Sequence, residues 1–391
     1  MKAVKITDTI YWVGAVDWTL RNFHGYTTSM GSTYNAYLIV DQTIALIDTV
    51  KANFAGEMLE RIASVVDPSR IEIIVSNHVE PDHSGSIPAV LQAAPNARVV
   101  TSDPQGMRGL TAHYGAMNFE PVKAGASICL GSHTLQFTPT PMVHWPDNMV
   151  SYCPEEKILF SNDAFGQHYA SSGRFDDEER IDVVFEEARK YYANIVMPYG
   201  QQTAAALKAV GGLEIDVICP SHGVIWRKNI PEIIRKYHAW SKNETDGSAA
   251  VVYDSMWHST EAMAQTVAET FREEGHAVRL YDLKVSHISD IMSDILTAKY
   301  IAVGSPTLNN NMLPTVSGFL TYLKGLSPKQ RISFAFGSYG WGGQSVAQVE
   351  QSLQDCGFDK LCDSVRIQYI PSKADLDALA AQVREGIHAC Q

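Results

Sequence analysis

Residues from 249 onward show a regular alternation of apolar runs with stretches of helical spacing. The apolar runs predict strands at 249–253, 275–282, 300–304, 331–336 and 364–370. The stretches that follow them predict helices at 260–274, near 286–297, and at 315–325, 344–356 and 373–388. Five strands alternating with five helices predict an α/β fold with a doubly wound, five-stranded parallel sheet. Ligands bind such sheets outside the carboxyl ends of the strands, where the strand order reverses.

The first half of the chain mixes strand-like runs with turns. Its short β-branched or alternating runs read TYNAYLIV, TIALIDTV, IEIIVSN, ARVVTSD, HTLQFTPT, KILFSND and DVICPSHG. Helical spacing occurs at 54–65 and 176–193. The polar, turn-prone segment SKNETDGS (241–248) separates the two halves, so we predict domains at 1–246 and 247–391.

Composition narrows the classes of partner and compartment. The 391 residues are 45% hydrophobic and carry a net charge of −12, which argues against nucleic acid as a partner. No apolar stretch approaches the roughly 20 residues that span a bilayer, and no export signal is recognisable, so we expect a cytoplasmic protein without a membrane partner. The six cysteines are scattered without a C-x-x-C pair, which argues against a disulfide framework or a thiolate metal site.

One short loop concentrates metal-ligating side chains. After the apolar run IEIIV (71–75), the stretch SNHVEPDHSGS (76–86) places His78, Glu80, Asp82 and His83 within six positions. Loops at strand ends often carry function, although a solvated or capped turn would explain this loop taken alone. Three later segments, each at the predicted end of a strand, supply further candidates: His144, Asp163 and His222.

Seven candidate ligands exceed the needs of one tetrahedral zinc ion. They suit two metal ions that share a bridging carboxylate, and Asp163 stands sufficiently apart in the sequence to be that bridge. Mixed imidazole and carboxylate ligation favours iron or manganese, and zinc remains chemically possible.

The second half carries loops that suit a flavin phosphate and ring. The segment VVYDSMWHSTEAM (251–263) runs from a strand through a hydroxyl-rich loop into a helix, without a P-loop or dinucleotide fingerprint. This loop resembles that of flavodoxin, and the resemblance implies FMN. The loops GSPTLNNN (304–311) and FGSYGWGGQS (336–345) follow the third and fourth strands. A flavodoxin-like domain without flavin is the alternative, because that fold serves many functions. The candidate FMN residues are Ser255, Met256, Trp257, His258, Ser259, Thr260, Ser305, Pro306, Thr307, Leu308, Asn309, Ser338, Tyr339, Gly340, Trp341, Gly342 and Gly343.

The order H-x-E-x-D-H, then His, Asp and His, resembles the metallo-β-lactamase fold, an αββα sandwich. Hydrolytic members of that superfamily commonly carry H-x-H-x-D-H and bind zinc. Glu80 occupies the position of the second histidine, and this replacement resembles the flavodiiron proteins, also called A-type flavoproteins. The stretches FHGYTT, STYNAYL, HWPDNMVSY and YDSMWHSTE carry the same resemblance, which covers essentially the whole chain.

The resemblance implies how the ligands divide between two irons. One iron would take His78, Glu80 and His144, the other would take Asp82, His83 and His222, and Asp163 would bridge them. His24, Tyr191 and Tyr192 resemble outer residues that hydrogen-bond a bound gas or donate protons, and a capped turn with a buried aromatic pair is the alternative for these three.

The activity implied is reduction of O2 to water, of NO to N2O, or both. FMN would pass electrons to the irons from an external carrier, for which rubredoxin is the family's usual choice. The family also implies a head-to-tail homodimer, or a dimer of such dimers. Two alternatives stay open at this point: a zinc hydrolase with an appended flavodoxin-like domain, and a non-catalytic electron-transfer flavoprotein.

Overall fold

The structure, a computed structural model, describes residues 1–390. These residues form two compact units. The first contains Met1–Tyr191 and Tyr199–Ser241, and the second contains Tyr192–Pro198 and the chain from Lys242 on. The predicted domain boundary after residue 246 stays a prediction.

Two sheets form the centre of the first unit. One sheet has the strand order β1-β2-β7-β8-β9-β10-β11, and the other has the order β12-β13-β14-β15-β16. Two small hairpin-like pairs, β3 with β6 and β4 with β5, lie outside these sheets. The strands are β1 (Val4–Lys5), β2 (Ile10–Trp12), β3 (Ala15–Asp17), β4 (Asn22–Phe23), β5 (Tyr26–Thr27), β6 (Ser32–Tyr34), β7 (Tyr37–Ile39), β8 (Ile44–Ile47), β9 (Ile71–Ser76), β10 (Arg98–Ser102), β11 (Phe119–Val122), β12 (Ser127–Cys129), β13 (Thr134–Pro139), β14 (Met149–Cys153), β15 (Ile158–Asn162) and β16 (Val217–Pro220).

Alternation along the strands divides the apolar side chains between two cores. In β9, Ile73 and Val75 join the cluster shared with Phe137 and Phe160 of the second sheet, which places this core between the sheets. Ile74 points the other way and joins the cluster packed against the outer helices. The strand runs read from the sequence therefore correspond to a sheet that is buried on both faces.

Helices cover the outer faces of both sheets. Buried residues of α1, α3 and α4 complete the cluster on the first sheet. Leu207 of α6 and Tyr237 of α7 line one small cavity with Val150 and Leu159 of the second sheet. The result is an αββα sandwich, as predicted. The helices are α1 (Ala55–Ala63), α2 (Pro81–Ser84), α3 (Ile87–Ala93), α4 (Gln105–Tyr114), α5 (Ile181–Tyr191), α6 (Gly200–Val210) and α7 (Ile230–Ser241).

The helix predicted at 176–193 begins later, at Ile181. Asp176 is fully buried and its carboxylate accepts hydrogen bonds from the backbone N–H groups of Arg227, Lys228 and Asn229. An aspartate committed to these donors holds its segment in a loop, so helical spacing alone placed the start too early.

The second unit is a parallel sheet with helices. Its order is β18-β17-β19-β20, and both β21 and β22 pair with β20, all in parallel. The predicted doubly wound sheet is confirmed, and two short strands share its fifth position. The elements are β17 (Ala249–Tyr253), α8 (Ser259–Glu273), β18 (Val278–Asp282), α9 (Ile288–Ile295), β19 (Tyr300–Gly304), α10 (Pro314–Leu326), β20 (Ile332–Tyr339), α11 (Gln344–Asp355), β21 (Asp359–Lys360), β22 (Val365–Gln368) and α12 (Lys373–Ala389).

The strand order reverses at β17, which lies between β18 and β19. The loops that follow β17 and β19 therefore diverge and leave a crevice at the carboxyl edge of the sheet. Within residues 1–390, no helix has the length and apolar character needed to cross a lipid bilayer.

Candidate metal centre and flavin cavity

The loop after β9 is held tightly by its own backbone and by β8. Pro81 opens the one-turn helix α2, and the carbonyl of Glu80 accepts hydrogen bonds from the N–H groups of His83 (2.9 Å) and Ser84 (3.0 Å). The N–H and the hydroxyl of Thr49, just after β8, both donate to the carbonyl of His83 at 2.7 Å. These bonds fix the backbone from which the candidate ligand side chains of this loop project.

The seven candidate ligands come together as two groups. Each group offers ligand atoms that lie within 4.8 Å of one another. All of these residues except His144, which is partly exposed, are buried. The first group contains His78, Glu80, His144 and Asp163, and the second contains Asp82, His83 and His222.

Asp163 belongs to the first group and also reaches the second, because its two oxygens face different sides. Oδ2 is 3.4 Å from Nε2 of His144 and 3.7 Å from Nε2 of His78. Oδ1 is 3.1 Å from Nε2 of His83 and 3.6 Å from Nε2 of His222. A carboxylate in this position suits a bridge between two cations.

Several buried ligand atoms have no hydrogen-bond partner. Among residues 1–390 these include both carboxylate oxygens of Asp82, both ring nitrogens of His83 and Oδ2 of Asp163. Buried polar atoms are normally satisfied, so a concentration of ligand atoms without hydrogen-bond partners fits a site that binds a cation. Oxygen and imidazole donors, with no sulfur among them, suit iron. The residues present therefore fit a pair of iron ions.

Contacts behind the ligands orient two of the histidines. The Nδ1–H of His78 donates to Oδ2 of Asp147 at 2.9 Å, and the Nδ1–H of His222 donates to the carbonyl of Thr33 at 2.7 Å. In both rings Nδ1 is thereby committed to another partner, and Nε2 is the nitrogen that faces the other candidate ligands and would coordinate a metal. Asp147 was not among the predicted site residues.

Opposite charges dominate the electrostatics of the cluster. Burial alone would lower the pKa of His78, but hydrogen bonds to Asp147 and Glu80 outweigh it and raise that pKa to about 10. Burial raises the pKa of Asp163, yet the nearby charges of His83 and His144 hold it well below its usual range. The carboxylate of Asp163 therefore stays ionised, as a bridging ligand requires.

Two of the three predicted outer residues contact the cluster. The hydroxyl of Tyr191 donates to Oδ1 of Asp163 at 3.0 Å. Nε2 of His24 lies 2.9 Å from Oε1 of Glu80, and the His24 side chain is 71% exposed. Tyr192 is buried in the following turn, which groups with the second unit.

His168 is a buried neighbour of the centre that the sequence did not single out. Its ring centroid lies 4.8 Å from that of His222 and 5.1 Å from that of Tyr191. Nδ1 is 2.8 Å from the hydroxyl of Ser32, and burial together with the charge of His222 holds its pKa well below the usual range. The ring of His168 is therefore uncharged and packs beside the candidate ligands. Nothing in the surrounding stretch GQHYASS indicates that its histidine lies at the site.

The second unit contains a cavity of about 750 Å³ at the carboxyl edge of its sheet. That volume lies in the range of cofactor sites. Eleven of the seventeen residues predicted to bind FMN line it: Met256, Trp257, Ser259, Pro306, Thr307, Asn309, Ser338, Tyr339, Gly340, Trp341 and Gly342. Hydroxyl groups, exposed backbone and large aromatic rings all line this cavity. Ser259 begins the long helix α8, whose N-terminal N–H groups suit a phosphate. The lining therefore fits FMN.

The remaining six predicted residues, Ser255, His258, Thr260, Ser305, Leu308 and Gly343, do not line the cavity. Thr260 is fully buried, and its hydroxyl lies 2.8 Å from that of Ser338, which ties the first loop to the end of β20. Ser305 is buried as well, and its hydroxyl accepts a hydrogen bond from the N–H of Leu313 at 3.0 Å. These two hydroxyls hold the loops in place.

Three further residues complete the lining: Asn310, Tyr369 and Ile370. Asn310 lies within the predicted loop 304–311 but was not among the seventeen candidate FMN residues. Tyr369 and Ile370 follow β22 and form a fourth loop at the same edge. The flavodoxin pattern pointed only to the loops after the first, third and fourth strands, so the fourth loop was missed.

Comparisons with known proteins agree with this geometry. Residues 33–223 match the profile of the ODP family beta lactamase, and residues 251–382 match that of flavodoxin. The chain is 44% identical to the rubredoxin-oxygen oxidoreductase of Megalodesulfovibrio gigas over 97% of this chain and 96% of that one. It is 43% identical to the nitric oxide reductase of Moorella thermoacetica over 95% of both chains.

A solved structure of the flavodiiron protein from Giardia intestinalis superposes with a TM-score of 0.96 at 36% identity, over 100% of this chain and 97% of that one. Both halves match in the same order, and the identities with full-length relatives exceed what fold similarity alone requires. The chain belongs to the flavodiiron protein family.

Proposed function

We propose that this protein is an oxidoreductase that reduces O2 to water, NO to N2O, or both, at a non-haem diiron centre. The observation that carries the proposal is the position of Asp163, whose two oxygens face two separate groups of ligands. A single hydrolytic zinc ion needs three protein ligands and an open position, and would leave half of this cluster unexplained.

Seven side chains would hold the irons. His78, Glu80 and His144 would hold one, Asp82, His83 and His222 the other, and Asp163 both. When bound, the iron pair would supply binding positions for the gas and two electrons, and reduced FMN would supply two more. These four electrons match the number needed to reduce O2 to water. They exceed the two needed to reduce a pair of NO molecules to N2O.

Reduction of either gas consumes protons, and the two side chains that contact the candidate ligands, those of His24 and Tyr191, suit different roles. Burial and the neighbouring charge of Asp163 raise the pKa of Tyr191 well above its usual value, so its phenol keeps its proton at neutral pH. His24 contacts Glu80 on one side and is largely exposed on the other. We assign to His24 the exchange of protons with solvent, and to Tyr191 a fixed hydrogen bond that orients Asp163. Tyr192 stays a predicted outer residue without an assigned role.

An external carrier would deliver electrons through FMN in the second unit. Rubredoxin is the proposed carrier, and its support is the similarity to an enzyme named rubredoxin-oxygen oxidoreductase. Trp341 and Trp257 at the flavin cavity are 92% and 86% exposed, so apolar rings are available to a protein partner there.

We also propose a head-to-tail homodimer, alone or paired into a tetramer, located in the cytoplasm. Its support is the placement of the two candidate sites on different units of the chain, because a head-to-tail pair would set the flavin cavity of one subunit beside the metal centre of the other. Light scattering on the active, cofactor-replete protein tests it, and an active monomer would exclude it.

The decisive experiment compares metal content and turnover. Protein of known iron and FMN content is supplied anaerobically with reduced rubredoxin, and O2 and NO consumption are measured separately. We expect turnover of at least one gas, with two irons per subunit. His144→Asn should abolish turnover and leave FMN bound.

His133→Asn is the matched control. His133 is also buried and bonded to a carboxylate, Asp41, but it lies outside both ligand groups, so this variant should keep its iron and its turnover. A wild-type protein that holds only zinc, or a His144→Asn variant that reduces gas at the wild-type rate, would exclude the proposal.

A further inference from the structure

The residue that follows β22 has an unusual backbone conformation. Tyr369 adopts φ = 58°, in the left-handed region that bulky side chains rarely occupy. Left-handed residues recur around the flavin cavity, where Asn309 (φ 51°) and Asn310 (φ 61°) also line the wall. Asparagine tolerates this region and tyrosine does not, so Tyr369 is the costly member of the set.

Packing within the unit does not explain this choice of residue. Tyr369 is 62% exposed and its neighbour Ile370 is 82% exposed, so neither side chain contributes much to a core. A glycine at position 369 would adopt the same backbone conformation without strain. Strained residues cluster where function requires them, and both of these side chains line the cavity.

The backbone around Tyr369 is fastened to the predicted ring-binding loop. The N–H of Tyr369 donates to the carbonyl of Tyr339 at 2.7 Å. The side-chain amide of Gln368 donates to the carbonyl of Gly340 at 2.8 Å. A Cβ added to Gly340 would lie 3.5 Å from the ring of Tyr369, so the ring packs over a backbone that has no side chain of its own. The end of β22 and the loop after β20 thus form one continuous wall.

We propose that Tyr369, together with Ile370, is a flavin-contacting residue that closes a side of the cavity left open by the three loops of the flavodoxin pattern. This inference rests on the proposed function only in taking FMN as the occupant. The ring of Tyr369 offers a flat apolar surface, which suits the isoalloxazine, and the left-handed backbone aims that surface into the cavity at the cost of local strain.

The test separates the effect of the aromatic ring on FMN binding from the effect of the backbone strain. Tyr369→Gly removes the ring and relieves the strain, so the stability of the protein should stay equal or rise. Tyr369→Asn also removes the ring with a residue that tolerates the conformation, and Tyr369→Phe keeps the ring. Gln330→Gly is the matched control, because Gln330 is exposed with φ = 61° and does not line the cavity.

Full-length, iron-loaded protein is stripped of FMN and titrated with it, with flavin fluorescence as the readout, and urea unfolding is measured in parallel. We expect the Kd for FMN to rise about tenfold in Tyr369→Gly and Tyr369→Asn, and by less than about twofold in Tyr369→Phe and Gln330→Gly. Iodide should quench the residual bound flavin more strongly in the two ringless variants.

Unchanged Kd and quenching in the ringless variants, with FMN still bound by the wild type, would overturn this inference and leave the proposed function intact. An equal loss of affinity in Gln330→Gly would overturn it too. Failure of the wild type to bind FMN would instead overturn the flavin assignment on which both proposals depend.

Discussion

The carboxylate of Asp147 holds the ring of His78 in place. Its Oδ2 accepts a hydrogen bond from Nδ1 of His78 at 2.9 Å and another from the N–H of Val79 at 2.8 Å, and Asp147 is buried. A carboxylate behind a histidine ligand fixes the ring orientation and raises the basicity of the ligating nitrogen. Asp147 is therefore a positioning residue of the metal centre.

Asp147→Asn should weaken iron binding at the His78 side about 10- to 100-fold, the usual cost of losing such a partner. The measurement is iron per subunit after anaerobic dialysis against a competing chelator. Asp41→Asn is the control, because Asp41 accepts a similar 2.7 Å hydrogen bond from His133 outside the ligand groups. Full iron retention in Asp147→Asn would show that Asp147 has no positioning role.

Removal of iron should lower the stability of the protein. Asp82 and Asp163 are buried with unsatisfied oxygens, and a cation that binds only the folded state stabilises it by an amount that grows with the logarithm of its concentration relative to Kd. At iron concentrations 100-fold above Kd the gain is about 2.7 kcal/mol. Anaerobic urea unfolding, followed by tryptophan fluorescence, should show a lower midpoint for chelator-stripped protein.

Resupply of Fe2+ should restore the midpoint, and Mg2+ should not, because imidazole-rich sites bind Mg2+ poorly. Identical midpoints with and without iron would argue that the cluster is structural without a metal.

The grouping of the seven candidate metal ligands was predictable, because residue types that bind metals follow the ends of strands in the sequence. Four of them occupy six positions after one strand, and the other three each follow a later strand of the same unit. The second unit was predictable for a similar reason, since its strands and helices alternate regularly and parallel strands align their carboxyl ends.

Contacts between residues that are far apart in the sequence were not predictable. Asp147 is 69 positions from His78, and Ser32 is 136 positions from His168, whose ring it orients. Tyr369 was missed because its signal is a backbone angle, which has no counterpart in the hydrophobic pattern. The late start of α5 belongs to the same class, because the contacts of Asp176 come from a segment about 50 residues away.

His133, a buried histidine outside the candidate ligand groups, should make the stability of the folded protein depend on pH. His133 contacts Asp41 through Nδ1 (2.7 Å), and Glu156 (3.3 Å) and the hydroxyl of Thr9 (3.0 Å) through Nε2. Burial lowers the pKa of His133, but the hydrogen bonds to both carboxylates outweigh it and raise the pKa. Burial raises the pKa of Asp41, and the hydrogen bond from His133 with further donors lowers it to about 2.

The two shifts define a pH window. The raised pKa of His133 stabilises the folded protein fully at pH values below the unfolded pKa of about 6.5. This stabilisation is lost as the pH rises through the folded pKa. The lowered pKa of Asp41 stabilises above its unfolded value of about 3.9 and is lost as pH falls towards 2. The pair should therefore contribute most between about pH 4 and pH 6.5.

His133→Asn should cost about 1.5–3 kcal/mol in that window and less at pH 9, where a neutral imidazole keeps only ordinary hydrogen bonds. Urea unfolding of the wild type and the variant at pH 5.5 and pH 9 measures the difference. His238→Asn is the control, since His238 is exposed. A cost that is the same at both pH values would show that the charge of His133 contributes nothing.

Arg331 should prove essential to the stability of the second unit. Its fully buried guanidinium donates to the carbonyls of Leu296 (2.7 Å), Ile295 (3.3 Å) and Asn243 (3.2 Å), and also to that of Lys329. The first two lie at the end of α9, where carbonyls have no partner within the helix. Burial lowers the pKa of Arg331 to about 10, which marks a real desolvation cost, and the charge of Asp246 offsets part of it.

Arg331→Met would relieve that desolvation cost and leave several buried carbonyls without a donor. Each unsatisfied group costs about 1–3 kcal/mol, so the losses outweigh the relief, and we expect a net loss of about 2–4 kcal/mol. Arg331→Lys should fall between the two, because an ammonium cannot reach the same set of acceptors as the planar fork. Urea unfolding measures all three proteins, with Arg279→Met as the exposed control. Surface substitutions usually change the free energy of unfolding by less than about 0.5 kcal/mol. A change that small in Arg331→Met would show that the desolvation cost cancels the stabilisation from the hydrogen bonds, so that Arg331 adds no net stability.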